Sequence, residues 1–531
     1  MKPSSILLAG LLLLPIAAEA APAAAGEAPL RIGRISIECQ DVFTPQEASK
    51  GWLYETANAI HIATHEAVVR RFLTFREGDP YDPRRLAESE RNLRAQAFIR
   101  SASVTAGEPR DGVVDVRVVT QDVWSTEPSA SYGHKGGKTT FAFKLVERNL
   151  LGTGSKLEVG YIQGIERSER QILFFDPQLF GPYTEASLLY SNNSDGREEA
   201  AKLGRPFYSL TTPWSATASF DDALLQKKLY GGGSEVARFE QDHRDILAEY
   251  GIALTASEAG ARRLRFGFDA VEDRFRHLPS RPEDLLPEDR RFRFLLLHWD
   301  RIDNGYLKID YIDAGSRFQD FNLGTALSLE AGISPRLFGL DRTTGLLGAA
   351  GSRGAALGTR GFLLGSFSGE SRLDGGFENA RLTADLRGAW KTPSRFPQTT
   401  VFRLHADRGW NLDRDVQFFA DGLTGLRGYR LYAFSGDKTA IVNVEHRIHL
   451  GRELFQLVEP GLALFVDSGT AAPPGTRLRL SDFKTDAGFG LRFQATRASV
   501  PVIRLDFAWA LDRDARGRSG LLISASSGTA F

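Results

Sequence analysis

Cysteine is nearly absent. Cys39 is the single one in 531 residues, so no internal disulfide and no multi-cysteine metal site can form, and it reads as a small half-buried strand residue. Net charge is absent too, with 66 Lys and Arg against 66 Asp and Glu; that balance gives no support for nucleic-acid binding or for a general attraction to acidic partners. Long apolar runs are missing beyond residue 20, where nothing approaches the roughly 18 to 20 consecutive apolar residues a membrane-spanning helix needs. Entry into a membrane would therefore require strands, and only a closed barrel satisfies every backbone N–H and C=O in hydrocarbon that way. Catalytic signatures are missing as well: there is no Gly-x-Ser-x-Gly elbow, no Gly-x4-Gly-Lys-Ser/Thr phosphate loop and no zinc-binding helix pair. His65-Glu66 lacks a second His at the required spacing, so His61 and His65 read as structural or exposed residues. Residues 345–358 are rich in Gly and Ala but lack the phosphate-loop Lys, and read as a flexible loop or small-residue strand. No catalytic, cofactor-binding or metal residue is assigned, and the chain reads as a non-enzyme.

What is present begins at the N-terminus. Lys2 precedes an apolar run from Ile6 to Ile16, and Ala18-Glu19-Ala20 supplies a small-x-small cleavage pattern. Residues 1–20 thus read as a secretory signal peptide, with a mature chain from about Ala21.

Two periods divide the remainder. Residues 29–124 read as a small α/β unit: Ile35 and Ile37 alternate with polar neighbours, and Val68, Val69, Phe72 and Leu73 follow helical spacing up to the turn Gly78-Asp79-Pro80. A second helix is expected from Asp82 to about Ala97, with Pro83 in its first turn. Strands from Ile99 to Thr105 and Val113 to Thr120 follow, joined by a turn-rich link. From residue 125 to 531 the pattern becomes alternation. Leu382, Ala384, Leu386 and Trp390 interleave with Arg381, Thr383, Asp385 and Arg387; Phe402, Leu404 and Ala406 interleave with Arg403, His405 and Asp407. Such strands have one oily and one charged face. Some 400 residues of this pattern behind an export signal predict a mainly β fold, a transmembrane antiparallel β-barrel of about sixteen strands.

Several motifs carry a resemblance. Gly78-Asp79-Pro80-Tyr81-Asp82 with Leu86, Leu93 and Phe98, in a β-α-α-β-β order, resembles one POTRA domain; the stretch from Asp41 to Ala63 is longer than that family's usual first connection and has no assigned role. Further on, Leu426-Arg427-Gly428-Tyr429, Phe465-x-Asp467-x-Gly469 and Gly488-x-Gly490-x-Arg492 stand in the order seen in the BamA/TamA-type superfamily of bacterial surface antigens. Glu147 to Gly154, followed by Phe175-Asp176-Pro177, is similar to its first barrel hairpins, and the terminal Phe531 to its last-strand signal. By alternation alone, Asp467 and Arg492 face the lumen, because Leu462, Leu464 and Val466 in one strand and Phe489, Leu491 and Phe493 in the next take the other face.

The resemblance implies that residues 421–436 form the sixth extracellular loop, folded back into the lumen so that Arg427 meets Asp467. Arg427, Gly428, Tyr429, Asp467, Gly469, Gly488, Gly490 and Arg492 would then be parts of a latch that breaks no bond. It also implies an outer-membrane location with the N-terminal domain in the periplasm, and a role in inserting or translocating polypeptides. Its partners would be outer-membrane lipid, unfolded or extended client chains and accessory proteins, without nucleic acid or cofactor. Strand addition at an open sheet edge would receive the client, and a weakly paired barrel seam would template it; the run Ser524-Ala525-Ser526-Ser527-Gly528 is compatible with such a seam. The alternative is a lipid-handling or solute-conducting pore lined by residues such as Arg387, Arg403 and Asp506.

Overall fold

The computed structural model describes residues 30–531 apart from 182, 279–284, 314, 316–317, 452–453, 455–457, 496–501 and 529–531. The expected signal peptide at residues 1–20 and the terminal Phe531 lie outside the described residues.

In the N-terminal unit, β1 (Arg31–Gln40), β2 (Ile99–Ala106) and β3 (Val113–Asp122) form a sheet of order β1-β3-β2, with β1 parallel and β2 antiparallel to β3. Val114, Val116 and Val118 alternate inward along β3. Four helices accompany the sheet: α1 (Pro45–Ala48), α2 (Trp52–Ile60), α3 (Glu66–Arg71) and α4 (Pro83–Arg94). Val68, Val69, Phe72, Leu86 and Leu93 from α3, α4 and their flanks close over Ile35, Val116 and Val118 as one core, each full burial contributing about 1.5–3 kcal/mol. The helix expected from Asp82 to about Ala97 is shorter at both ends, and β3 runs two residues further than expected. The unassigned stretch 41–63 supplies the extra helices α1 and α2, with Thr44 and Glu47 forming a capping box at the first.

From Thr126–Lys135 to Gly520–Ser527, twenty antiparallel strands close into a barrel. Outward positions are apolar and exposed all round the wall, among them Phe143, Tyr250, Leu297, Phe367, Leu404 and Leu464. A belt of this extent far exceeds the few hundred Å² of apolar patch that water-soluble monomers leave open. Trp214 and Trp390 stand near the belt's domain end and Trp410 and Trp509 near its far end, the placement of aromatic girdles at two interfaces. Inward positions carry the charge, as with Asp385, Arg403, His405 and Asp407.

The count of twenty corrects the expected sixteen. Sixteen strands across residues 125–531 would take about 25 residues each, loops included, whereas twenty take about 20, because long outer loops were assumed throughout. The first far-end connections are instead tight turns: Gly136 and Gly137, like Gly232 and Gly233, both adopt positive φ, the backbone a two-residue hairpin requires. Residues 345–358 lie mostly in a strand, Thr344–Ala356. Three neighbouring strands, Trp214–Gly231, Ser234–Ser257 and Gly260–His277, are 18, 24 and 18 residues long, well beyond the roughly 9–11 that cross hydrocarbon. Above the belt their outward side chains turn ionic, with Arg244 donating to Asp222 at 2.7 Å.

Candidate functional site

The longest far-end connection, residues 411–437, links the strands Gln398–Trp410 and Lys438–His449. It is the eighth far-end loop, which corrects the expected sixth. Five strands still follow it, so the additional hairpins all precede it. Its ends pair briefly as Phe418–Ala420 with Phe434–Gly436, and its middle turns into the barrel. Asp421 folds that turn: its carboxylate accepts from the backbone N–H of Leu423 at 2.8 Å, of Thr424 at 3.1 Å and of Tyr432 at 2.7 Å.

Arg427 reaches the wall at the point the sequence indicated. Its Nε and Nη2 donate to the two oxygens of Asp467 at 2.7 and 2.9 Å, a two-pronged fork, and its Nη1 donates to Glu445. The guanidinium carbon lies 3.5 Å from the centroid of the Phe465 ring, so the cation is stacked as well as paired. Arg427 is 3% exposed, and Asp467 and Glu445 have no exposure at all. Asn443 ties the seat together, its Nδ2 donating to Asp467 and to the carbonyl of Gly425, both at 2.8 Å. Tyr429 is buried against Phe434, and its hydroxyl donates to the carbonyl of Thr485 at 2.9 Å.

The motif glycines make room for these groups. A Cβ on Gly488 would stand 2.6 Å from the Phe465 ring that underlies Arg427, and one on Gly490 would stand within 2.2 Å of the Asp506 carboxylate. Arg492 donates to that carboxylate at 2.6 Å and to Glu445 at 3.2 Å, while Arg504 donates to Asp506 at 2.6 Å. A Cβ on Gly469 would press on Ala440 and Ile441. On Gly428 it would come within 2.6 Å of the Cβ of Asp486 and 3.0 Å of the amide nitrogen of Ala510. Gly428→Ala is therefore expected to cost about 1–3 kcal/mol of loop seating by overpacking, read as faster proteolysis of residues 411–437 with the barrel still resistant to unfolding in detergent.

A second insertion enters from the opposite end. Residues 304–325, between the strands Arg290–Asp303 and Ala326–Ser334, form a small hairpin, Tyr306–Ile309 with Gln319–Asn322. Ile309 and Ile312 bury against Phe362, Ala389 and Val401 on the inner wall. Lys391 pairs with Asp310, Arg387 with Asp313, and Thr399 donates to the carbonyl of Tyr311 at 2.6 Å. Arg447 approaches Asp313 at 3.4 Å and donates to Glu445 at 2.7 Å.

Both insertions thus end on one row of the wall strand Lys438–His449, where Asn443 and Glu445 hold the far-end loop and Arg447 holds the domain-end hairpin. Arg427, Arg447, Arg492 and Arg504 face Asp313, Glu445, Asp467 and Asp506 in a buried network, with Asp486 buried opposite Asp467. The matched pair Arg427 and Asp467 was legible in the motifs; Asn443, Glu445 and Arg447 were not assigned. Their signal is the alternation of Val442 and Val444, both exposed, which turns the odd positions inward. Asp313 has no motif and no strand period to mark it.

The barrel closes between its first and last strands. Thr126–Lys135 pairs in register with the second strand from Thr126 opposite Glu147 to Lys135 opposite Lys138, and Gly520–Ser527 pairs with its other neighbour along its full length. Between the first and last strands, Ala525 opposite His134 is the one register pair among the described residues. Residues 128–132 of the first strand are exposed.

No protein-family model matches the chain. In overall structure it is similar to BamA and CdiB. A crystal structure of BamA from Haemophilus ducreyi lacking POTRA domains 1–3 aligns at 12% identity over 95% of this chain and 85% of that one, with a TM-score of 0.49. CdiB from Acinetobacter baumannii aligns at 12% identity over 94% and 73%, with a TM-score of 0.48, and CdiB from Escherichia coli at 12% identity over 93% and 75%, with a TM-score of 0.42. Divergence this deep leaves the function to be argued from the chain's own geometry.

Proposed function

We propose that this chain is an outer-membrane barrel that assists the insertion or translocation of polypeptides, with its N-terminal domain in the periplasm. The observation that carries the reading is the seam. A barrel that served only as a wall would pair its closing strands as fully as the rest, because each unpaired backbone group in hydrocarbon costs several kcal/mol. Here Ala525 opposite His134 is the one register pair of the closing strands among the described residues, and a sparsely paired edge is a template that an incoming strand completes by main-chain hydrogen bonds. The loop and the hairpin that share Glu445 and Arg447 support a resting state closed to solutes, as a translocase requires and a passive pore does not.

The domain fits a receiving role at one edge. The outer side of β1 is occupied, since Ile32 donates to the carbonyl of Asp79 and Ile35 to Glu77. Along the outer side of β2, Glu90 accepts from the amide of Val104, so β2 offers the more open edge for an extended client.

A cross-link tests the seam directly. In a Cys39→Ser background, His134→Cys and Ala525→Cys place two thiols on facing positions. Oxidation is expected to stop insertion of a client barrel into liposomes, and reduction to restore it. Client insertion at the same rate with the cross-link complete would refute the reading.

A further inference from the structure

We infer that the outer wall carries a lipid-binding groove near its far end, across the strands from Ala326–Ser334 to Gln398–Trp410, and that it takes an acyl chain of one outer-leaflet lipid while Arg408 takes that lipid's phosphate. The inference rests on the membrane placement proposed above, which puts the far end in the outer leaflet.

The groove follows from the register of the outward side chains. Leu329, Leu347, Phe367 and Leu382 are exposed members of the apolar belt. Across the wall, Leu329 stands opposite Ala349, Ala349 opposite Gly369, Gly369 opposite Leu382, and Leu382 opposite Arg408. Directly paired residues share a face of the sheet, so this whole row points outward. One row nearer the far end, Ala331 pairs with Leu347 and Leu347 with Ser371, while Ala380 pairs with Trp410. The register slips between Glu370 and Arg372, and Ser371 is buried there, its hydroxyl donating to the carbonyl of Glu378 at 3.2 Å. Both rows are therefore small in the middle, at Ala349, Gly369, Ser371 and Ala380, and large at the sides.

The Gly- and Ala-rich stretch 345–358 thus supplies part of a floor where its neighbours supply walls. Leu329 and Leu347 stand on one side, Leu382 and Trp410 on the other, with Phe367 toward the domain end and Phe377 toward the far end, around a hollow of about 860 Å³. Pockets that hold small molecules enclose roughly 300–1,000 Å³. Glu330 and Glu370 both pair with Gly348 in the alternate, lumen-facing register, so the charged side of these strands lies behind the floor.

Two observations name the occupant. The walls are themselves belt residues, so the hollow opens into whatever covers the belt; left void it would forfeit dispersion contacts along its lining, and an acyl chain laid in it restores them. The second observation is Arg408, which ends the first row. Its Cβ is about 5 Å from that of Leu382, its guanidinium carbon lies 5.2 Å from the centroid of the Trp410 ring, and no carboxylate among the described residues pairs with it. A cation on the lipid face is costly at the middle of the bilayer and tolerated near the interface, where Trp410 places this one. Its planar fork matches the oxygens of a phosphate. Apolar hollow and cation stand side by side, as the chain and headgroup of a single lipid do.

The test uses the full chain, extracted in detergent and followed by native mass spectrometry as phosphatidylglycerol or diacylglycerol is added. The wild type is expected to hold one phosphatidylglycerol more tightly than diacylglycerol. Arg408→Gln should lose about fivefold in affinity for the first and leave the second unchanged. Gly369→Leu should weaken both, because the new side chain fills the floor. A Cβ at that position meets the Arg381 carbonyl and the Leu382 side chain at 3.4 Å, ordinary contacts that the strand accepts, and Ala349→Leu fills the adjoining position should the first variant fail to assemble. Equal retention by the wild type and a filled variant, or an Arg408→Gln chain that binds phosphatidylglycerol as the wild type does, overturns the inference. So does a dimer that Gly369→Leu dissociates, since a second copy would then cover the groove. A chain that stays in solution without detergent defeats the membrane placement itself, whereas one that inserts into liposomes and retains no lipid defeats only the groove.

Discussion

Arg427→Ala is expected to release residues 411–437 from the lumen while the barrel still assembles. The substitution leaves Asp467 and Glu445 buried without their shared cation; breaking a buried pair in this way costs about 3–5 kcal/mol, and the loop escapes that cost by lifting so that water reaches both carboxylates. A shift of that size moves the closed-to-open ratio by a factor of about 10² to 4 × 10³. Trypsin added to intact cells should then cut at Arg430, three residues from Arg427 in the inserted part of the loop, faster than it cuts the wild-type chain there. Unchanged cleavage together with full activity would refute the latch. Asp467→Asn should give the same phenotype in weaker form, because Glu445 still holds Nη1. The double variant should fall short of the sum, since both changes dismantle one interaction.

Excision of the domain-end hairpin, residues 306–323, is expected to open the barrel to ions once the loop is also freed. The cut is geometrically mild: a Cβ on Gly305 would lie 2.7 Å from the amide nitrogen of Gly324, and Asp303 already bonds the carbonyl of Thr325, so the two glycines can be joined without moving the strands. Barrels of sixteen to eighteen strands leave an aqueous channel when nothing fills them, and twenty leave more. In planar bilayers the wild-type chain and each single variant should show small, erratic events, whereas the excision combined with Arg427→Ala should show a sustained open channel. A large steady conductance from the unaltered protein would instead favour the solute pore.

How much of this was legible in the sequence depended on whether a side chain obeyed a local period. Outward Leu464 and Val466 fixed the inward direction of Asp467 without any structure, and the same alternation turned Arg492 inward. The strand number was not legible in this way, because it depends on loop length, and Gly136-Gly137 or Gly232-Gly233 are compatible with a tight turn or with part of a long loop until φ is known. Residues 304–325 were opaque for a different reason: their hairpin strands are four residues each, too short to show a period, and they are held by long-range partners such as Lys391 and Arg447. The helix α2 was illegible because Trp52 and Ile60 are exposed while Asn58 bonds inward to Phe43, against the pattern by which a core helix is recognised.

The three long strands have a consequence for how the loop can move. Tyr230, at the top of that tall wall, exchanges hydrogen bonds with Gln417 at 2.9 Å in both directions, stacks on Tyr432 at 3.7 Å and accepts from Ser435 at 2.9 Å. A continuous hydrogen-bonded sheet is stiff, so the wall cannot bend to follow a partly lifted loop. Detachment at the rim and detachment in the lumen are thereby tied into one event, and a loop released by substitution is expected to jump between two positions, with no graded series of intermediates between them.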